Sequence, residues 1–181
     1  MSNKTYPINV NGVHRDLPII RINEHLSIAS FVILGDSEIV VAAADKLKNM
    51  LPKADYLMTA EAKGVPLAHE LAKVMGYTKY IVARKNIKAY MDHPLIEVVE
   101  SITTKGQQIL CLDRADADAI RGKTVLLVDD VISTGESIQS LAHLAEKAGA
   151  QVIGKASILV EGDPENHKDV INLGCIPVFP D

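Results

Sequence analysis

The sequence contains no tryptophan, two phenylalanines and two cysteines among its 181 residues. Cys111 and Cys175 stand far apart, with neither a CxxC pair nor the spacing of metal ligands. This pattern excludes a disulfide-rich scaffold and a cysteine-based zinc site. It predicts two buried thiols in a protein of a reducing compartment, so we expect a cytoplasmic location.

Long apolar runs and an excess of basic residues are also missing. No segment approaches the roughly 18–20 uninterrupted apolar residues of a membrane span. The N-terminus, MSNKTYPINVNG, lacks the apolar region of a signal peptide. The net charge is −4 and there is no basic tail, which disfavours non-specific binding to nucleic acid. We therefore expect neither a membrane nor a nucleic acid as partner.

The chain does have enough apolar residues, 48%, for a substantial core, at a length typical of one domain. Strand-like and helix-like segments alternate, which predicts an α/β domain, residues 1–181, with a central, mostly parallel sheet flanked by helices. Helices are predicted at 38–51 with Ser37 as the N-cap, 65–75, 138–149 and 165–173, and strands at 55–59, 80–83, 107–112, 125–128, 151–160 and 176–179. Residues 114–119 are predicted to be a short polar segment.

Residues 123–144, KTVLLVDDVISTGESIQSLAHL, are the most informative stretch. The apolar run 125–128 suits a strand that is buried on both faces of a parallel sheet. Two carboxylates, Asp129 and Asp130, come directly after it. A polar turn follows, and apolar residues then recur at helical spacing. The turn consists of Ser133, Thr134, Gly135, Glu136 and Ser137.

This order of strand, acidic pair, turn and helix indicates a site for a phosphorylated sugar. Open backbone N–H groups and the positive end of a helix suit a phosphate, and Gly135 lets the backbone approach it closely. Adjacent carboxylates repel a phosphate but accept hydrogen bonds from sugar hydroxyls, or face the water shell of a metal. The alternative is an ordinary strand-to-helix loop with an Asx or Ser cap.

The string VLLVDDVISTGES resembles the signature of the type I phosphoribosyltransferases for binding 5-phosphoribosyl 1-pyrophosphate (PRPP). The resemblance implies the type I fold, with Asp129 and Asp130 holding the ribose hydroxyls and residues 133–137 holding the 5-phosphate. It also implies Mg²⁺ bound mainly through PRPP, without direct protein ligands. Many purine members have a glycine where this chain has Glu136, which is tolerable when that side chain points outward.

A second strand–turn–helix unit contains TAEAKGVP, which resembles the pyrophosphate loop of adenine-type and related purine members. Lys63 stands where those proteins have an arginine. The alternative is a plain loop with one exposed lysine. By this resemblance the pyrophosphate-binding residues are Glu61, Ala62, Lys63 and Gly64.

Three cations within five residues, Arg84, Lys85 and Lys88, follow the next predicted strand. Charged groups at the carboxyl end of such a strand lie where doubly wound sheets bind ligands. They suit a pyrophosphate, and R-K-x-x-K resembles the purine members, where these residues help to bind it. The alternative is a solvated charge cluster.

Two regions are predicted to cover the site. Residues 1–34 form the hood over the base, beginning with a hairpin around Asn11-Gly12. Arg15 and Phe31 are candidate base contacts there, with Phe31 alternatively in the core. Residues 89–112 resemble the flap that excludes water from the reaction. The flap residues are Thr103, Thr104 and Lys105, and Thr104 stands where adenine-type enzymes commonly have a glutamate.

The implied activity is transfer of 5-phosphoribose from PRPP to a purine base by a homodimer. The E-A-K-G and R-K-x-x-K motifs favour adenine, whereas Thr104-Lys105 looks more like the enzymes for 6-oxopurines (hypoxanthine, guanine or xanthine). A non-catalytic regulator that senses PRPP is a further alternative. Such regulators usually add a DNA-binding domain, for which the chain offers no readable helix-turn-helix.

Overall fold

The computed structural model describes residues 4–99 and 108–180. Within these ranges the helices are α1 Ser37–Leu47, α2 Val65–Met75, α3 Arg114–Ile120 and α4 Glu136–Lys147. The strands are β1 Thr5–Val10, β2 Val13–Asn23, β3 Leu26–Ala29, β4 Tyr56–Ala60, β5 Ile81–Ala83, β6 Leu95–Val99, β7 Gln108–Leu112, β8 Thr124–Ile132, β9 Gln151–Glu161, β10 Val170–Ile171, β11 Cys175–Ile176 and β12 Val178–Pro180. No helix of these ranges is long and apolar enough to cross a membrane.

The central sheet is parallel, in the order β10-β9-β8-β4-β5, with β11 also pairing with β9. The residues of β8 alternate between two cores: Leu126 and Val128 pack with α1 and α2, while Val125 and Leu127 pack with α3 and α4. All four are fully buried. The apolar run therefore forms the two-sided buried strand that the sequence predicts.

A separate antiparallel sheet, in the order β1-β2-β3-β12, forms the predicted hood. Its hairpin turns at Asn11 and Gly12, both with positive φ. The hood is not built from residues 1–34 alone, because β12 pairs with β3. Phe31 belongs to the core, with 5% of its surface exposed.

The strands β6 and β7 pair antiparallel and form the predicted ribbon. The flap residues Thr103, Thr104 and Lys105 lie outside the described residues, so their predicted role stays a prediction. Lys147 at the end of α4 donates to the carbonyl of Ile96 at 2.6 Å, which ties the described part of the ribbon to that helix.

Three predicted segments were wrong or misplaced. Asp36, not Ser37, caps α1, since its carboxylate accepts from the N–H of Ile39, and α1 ends at Leu47 rather than at 51. Residues 114–120 form a short helix, which buries Ala117 and Ile120. Residues 165–173 are not a helix: a 3₁₀ turn, Pro164–His167, leads into β10, which instead completes the edge of the sheet beside β9.

Candidate active site

Three loops meet at the carboxyl edge of the central sheet. They follow the neighbouring strands β5, β4 and β8, so residues 84–88, 61–64 and 133–135 lie at one edge. This is the edge at which open parallel sheets bind ligands. The topology therefore brings together all three groups of predicted residues that the structure describes.

The acidic pair belongs to β8 itself, which runs on to Ile132. Asp130 is 2% exposed, and its Oδ2 has no hydrogen-bond partner among the described residues. The nearest cation is the Nζ of Lys63, at 3.6 Å, too far for a hydrogen bond. A buried acceptor without a partner costs about 1–3 kcal/mol. This oxygen is thus available to a ligand that donates a hydrogen bond.

Unlike Asp130, Asp129 is partly exposed, and its carboxylate has a hydrogen bond within the acidic pair. Its Oδ1 accepts from the backbone N–H of Asp130 at 2.9 Å. Burial raises the pKa of Asp129 to about 7, and the charge of Asp130 adds to the effect, while Lys63 opposes it. Near pH 7 the Asp129 carboxyl is therefore divided between its protonated and ionised forms.

Gly64 brings the 61–64 loop against the acidic pair. A Cβ on Gly64 would lie 2.2 Å from the Oγ1 of Thr59 and 2.9 Å from the Oδ1 of Asp129. The backbone φ of Gly64 is −74°, which any residue adopts. Close approach, rather than an unusual backbone conformation, is thus the reason for a glycine here.

Glu61 bridges two of the loops. Its Oε1 accepts from the N–H of Lys85 at 2.6 Å. Its Oε2 lies 2.7 Å from the Nε of Arg84 and forms an ion pair with it. The geometry of this contact is not that of a hydrogen bond. Burial pushes the pKa of Glu61 up, but the Lys85 N–H and the charges of Arg84 and Lys88 outweigh it, so the pKa lies below its ordinary value. Glu61 therefore orients the cationic segment.

The cations line the same edge at different depths. Lys63 and Lys85 are exposed, and Arg84 and Lys88 are half-buried. Arg84 is fixed by two backbone hydrogen bonds of 2.8 Å with Cys111 of β7, so the ribbon anchors this segment. Ala62 is exposed between Lys63 and Glu61, and the Glu61–Ala62 peptide bond is cis. Four cations at the edge that also holds the acidic pair suit a ligand that carries both anionic groups and hydroxyls.

The turn after β8 forms the start of α4. Gly135 is the N-cap, with φ of 85°, and Glu136 is the first helical residue. The side chains of Thr134, Glu136 and Ser137 are exposed, so the Glu136 carboxylate is not buried in the turn. Open N–H groups at this helix start suit an anion.

Ser133, which is predicted to belong to the phosphate loop, contacts a neighbouring strand in the structure. Its Oγ donates to the Oε1 of Glu161 at 2.7 Å. Glu161 is the last residue of β9, and sequence analysis did not identify it. The contact depends on the pairing of β8 with β9, which no local pattern reveals, although a carboxylate at the end of a strand was a usable signal.

The side chain of Arg15 is engaged at the start of α1. It forms ion pairs with Asp36 and Glu38, at 2.8 and 2.7 Å, and so ties the hood to the start of α1. The structure therefore gives no support to Arg15 or Phe31 as a contact of the base.

Comparison with known proteins agrees with this geometry. Residues 37–178 match the phosphoribosyl transferase domain family. The chain is 30% identical over 127 residues to an adenine phosphoribosyltransferase of Rhodococcus jostii, an alignment that covers 70% of this chain and 69% of that protein. It is 26% identical over 123 residues to xanthine phosphoribosyltransferase 1 of Clostridium perfringens, covering 67% of this chain and 64% of the other.

The fold is shared with solved structures. The crystal structure of adenine phosphoribosyltransferase from Thermoanaerobacter pseudethanolicus superposes with a TM-score of 0.69 at 22% identity, covering 88% of this chain and 95% of that one. The match to the family extends over most of the chain, including all three loops described above. The chain belongs to the phosphoribosyl transferase domain family, with the type I fold, on the purine branch of that family.

Proposed function

We propose that the protein transfers the 5-phosphoribosyl group of PRPP to a free purine base, with adenine as the favoured base. The bond from C1 of the ribose to pyrophosphate breaks, and a bond from C1 to a ring nitrogen of the base forms. The products are a purine nucleoside 5′-monophosphate and pyrophosphate. The observation that carries the proposal is the buried Oδ2 of Asp130, at the edge where all three loops meet. It has no hydrogen-bond partner among the described residues and lies 3.6 Å from the Nζ of Lys63.

Asp129 and Asp130 serve the ribose. The free Oδ2 of Asp130 accepts from a ribose hydroxyl, and the carboxylates stabilise the positive charge that develops on the sugar during transfer. Residues 134–137 hold the 5-phosphate with the open N–H groups at the start of α4.

The cations serve the leaving group. Lys63, Arg84, Lys85 and Lys88 hold the pyrophosphate, and Glu61 keeps Arg84 and Lys85 in place. Mg²⁺, bound mainly to PRPP oxygens, would neutralise the negative charge of the pyrophosphate. The acidic pair fits the water shell of such an ion, since two adjacent carboxylates accept hydrogen bonds from its waters. The described residues include no group of three or more acidic, histidine or cysteine side chains for direct binding of a metal.

The choice of base rests on sequence features and relatives. The E-A-K-G and R-K-x-x-K motifs and the Rhodococcus relative support adenine. Thr104-Lys105 and the Clostridium relative support a 6-oxopurine as the second candidate.

A pyrophosphate-release assay with PRPP and Mg²⁺ tests the proposal against adenine, hypoxanthine, guanine, xanthine and uracil in parallel. We expect release that depends on adenine. Release of pyrophosphate with a 6-oxopurine alone would show that the base is not adenine, but it would support the same transfer reaction. No release with any base, together with measurable binding of PRPP, would favour the sensing regulator.

We further propose that the protein acts in the cytoplasm as a homodimer. Ile87, which lies between Lys85 and Lys88, is 50% exposed, and Tyr90, two residues after Lys88, is 66% exposed. We infer that these two side chains enter the dimer contact, because contiguous exposed apolar side chains rimmed by polar ones mark surfaces that bind another protein. Both cysteines are free, which suits a reducing compartment.

A further inference from the structure

The hydrogen bond from Ser133 to Glu161 links the phosphate loop to the neighbouring strand. At 2.7 Å it has the length of a hydroxyl bonded to an ionised carboxylate. A hydroxyl has one proton to donate. While Ser133 donates to Glu161, it does not donate to a phosphate.

Glu161 is held firmly on the side away from the loop. It pairs with Ile176 of β11, and its carbonyl accepts from the Nε2 of His167 at 2.9 Å. His167 is itself buried, with 7% of its surface exposed. The next residue, Gly162, donates its N–H to the carbonyl of Ile176 at 3.0 Å. The carboxylate therefore extends from a fixed point of the sheet.

The loop itself has much less support. The side chains of Ser133, Thr134, Glu136 and Ser137 are all exposed. Thr134 accepts only a long contact, 3.5 Å, from the N–H of Glu136 within the same turn. Ser133 thus connects an exposed turn to a fixed strand.

The negative charge of Glu161 lies beside a loop that is proposed to bind a phosphate. A carboxylate next to a site for a phosphate dianion works against binding by like-charge repulsion. Its hydrogen bond to the first residue of the loop gives it a compensating role, because a loop that is already ordered loses less conformational entropy when the phosphate binds.

We propose that Glu161 is a positioning residue that acts through Ser133. It holds the turn so that the N–H groups at the start of α4 converge on the 5-phosphate, and the Ser133 hydroxyl is not a phosphate ligand. This inference rests on the proposed function, which assigns the turn to the 5-phosphate of PRPP.

Four variants and a control test the inference: Ser133→Ala, Glu161→Ala, Glu161→Asp, the double variant Ser133→Ala/Glu161→Ala, and Glu165→Gln. Glu161→Asp keeps the charge but shortens the side chain by one methylene. If Glu161→Ala does not fold, Glu161→Asp serves as the test of the hydrogen bond. Glu165 is an exposed carboxylate of the neighbouring 3₁₀ turn and serves as the matched control. For each protein the affinity for PRPP with Mg²⁺ is measured by calorimetry, together with kcat and both KM values.

We expect Ser133→Ala and Glu161→Asp each to weaken PRPP binding about tenfold, as for one lost hydrogen bond to a charged group. Glu161→Ala is expected to weaken it by a smaller factor, because that variant also removes the repulsion between the carboxylate and the phosphate. The double variant is expected to match Glu161→Ala, because both remove the same bond and the same charge. At saturating PRPP, kcat and the KM for the base stay unchanged, and Glu165→Gln behaves as wild type.

Three results would overturn the inference. In the first, the effects of Ser133→Ala and Glu161→Ala add, which would make Ser133 a direct phosphate ligand. In the second, the Glu161 variants raise the KM for the base rather than for PRPP. In the third, the Glu161 variants bind PRPP as wild type does. A wild-type protein that binds no PRPP would instead contradict the proposed function, and the inference with it.

Discussion

The two aspartates of β8 are unfavourable for stability where they stand. In the part of the chain that the structure describes, the buried Oδ2 of Asp130 has no hydrogen-bond partner, and Asp129 lies next to the Asp130 charge. Within residues 4–99 and 108–180, the ion pair of this acidic pair is the one from Lys63 to Asp130, which at 3.6 Å is beyond hydrogen-bond distance. Under the proposed function, these groups are kept at the expense of folding free energy because they hold the ribose hydroxyls.

The first prediction concerns Asp129→Asn. The pKa of Asp129 is about 7 in the folded protein against an ordinary value of 3.8, so between these values the folded state binds more protons than the unfolded state. The free energy of unfolding therefore falls as the pH rises from about 4 to about 7, and the loss is complete above that range. Asparagine does not titrate, so we expect Asp129→Asn to melt above wild type at about pH 8, with a gap that narrows toward about pH 4.

Thermal melts across the pH range measure this difference, with Asp16→Asn on the hood strand β2 as an exposed control. A gap that stays constant with pH would show that burial of Asp129 is not the cause.

The second prediction concerns Gly64→Ala. The new methyl group would meet Thr59 at 2.2 Å and Asp129 at 2.9 Å, so the 61–64 loop must move away from the acidic pair. We expect turnover to fall by about a hundredfold, since small displacements of positioning groups have effects of this size. Steady-state kinetics on the purified variant measure the loss.

The added change Thr59→Ala removes the closer of the two contacts and supplies the matched test. We expect Thr59→Ala/Gly64→Ala to recover part of the lost rate. Equal loss in both variants would indicate that Gly64 serves the loop by some route other than close approach.

Among the helices and strands, the sequence predicted the ones whose signal lies in consecutive residues. The run 125–128 formed the central strand, and the 65–75 helix was predicted to the residue, since Gly76 ends it in the left-handed conformation. The sequence failed where tertiary pairing decides. Residues 170–171 extend beside β9 although the segment was predicted to be helical, because the sheet edge offers hydrogen bonds to them. The contact of Ser133 with Glu161, 28 residues apart, likewise depends on strand register.

The third prediction separates the predicted helix cap from the observed one. Asp36 accepts from the N–H of Ile39 at 3.2 Å and holds Arg15 of the hood at 2.8 Å. We expect Asp36→Ala to lower the free energy of unfolding by about 1 kcal/mol through loss of the cap. For a protein of this size that is a fall in Tm of about 2–4 °C.

Ser37→Ala is the comparison, because the sequence pattern favoured Ser37 as the cap. We expect it to change stability by less than about 0.5 kcal/mol, as exposed substitutions do. A larger loss from Ser37→Ala than from Asp36→Ala in the same melts would contradict the observed capping.

At the scale of the whole molecule, the fourth prediction concerns assembly. We expect the wild-type protein to sediment as a dimer, and Ile87→Asp to shift it to a monomer, because a carboxylate is costly to bury in an apolar contact. Met50→Asp, at an exposed apolar residue following α1, is the control and is expected to stay dimeric. Analytical ultracentrifugation distinguishes the two states. A wild-type monomer across the assay concentrations would refute this interface.

The central claim is that the acidic pair and the loops around it form the site of phosphoribosyl transfer, and Asp130→Asn tests it most directly. The Oδ2 of Asp130 is buried without a hydrogen-bond partner among the described residues, so we expect the variant to keep the fold, with a Tm at or above that of wild type. The measurement is base-dependent release of pyrophosphate from PRPP with Mg²⁺, for wild type and Asp130→Asn in parallel. We predict release by wild type and at least about a hundredfold less by the variant, as when a positioned electrostatic group is removed. Equal release by a folded Asp130→Asn protein would contradict the account.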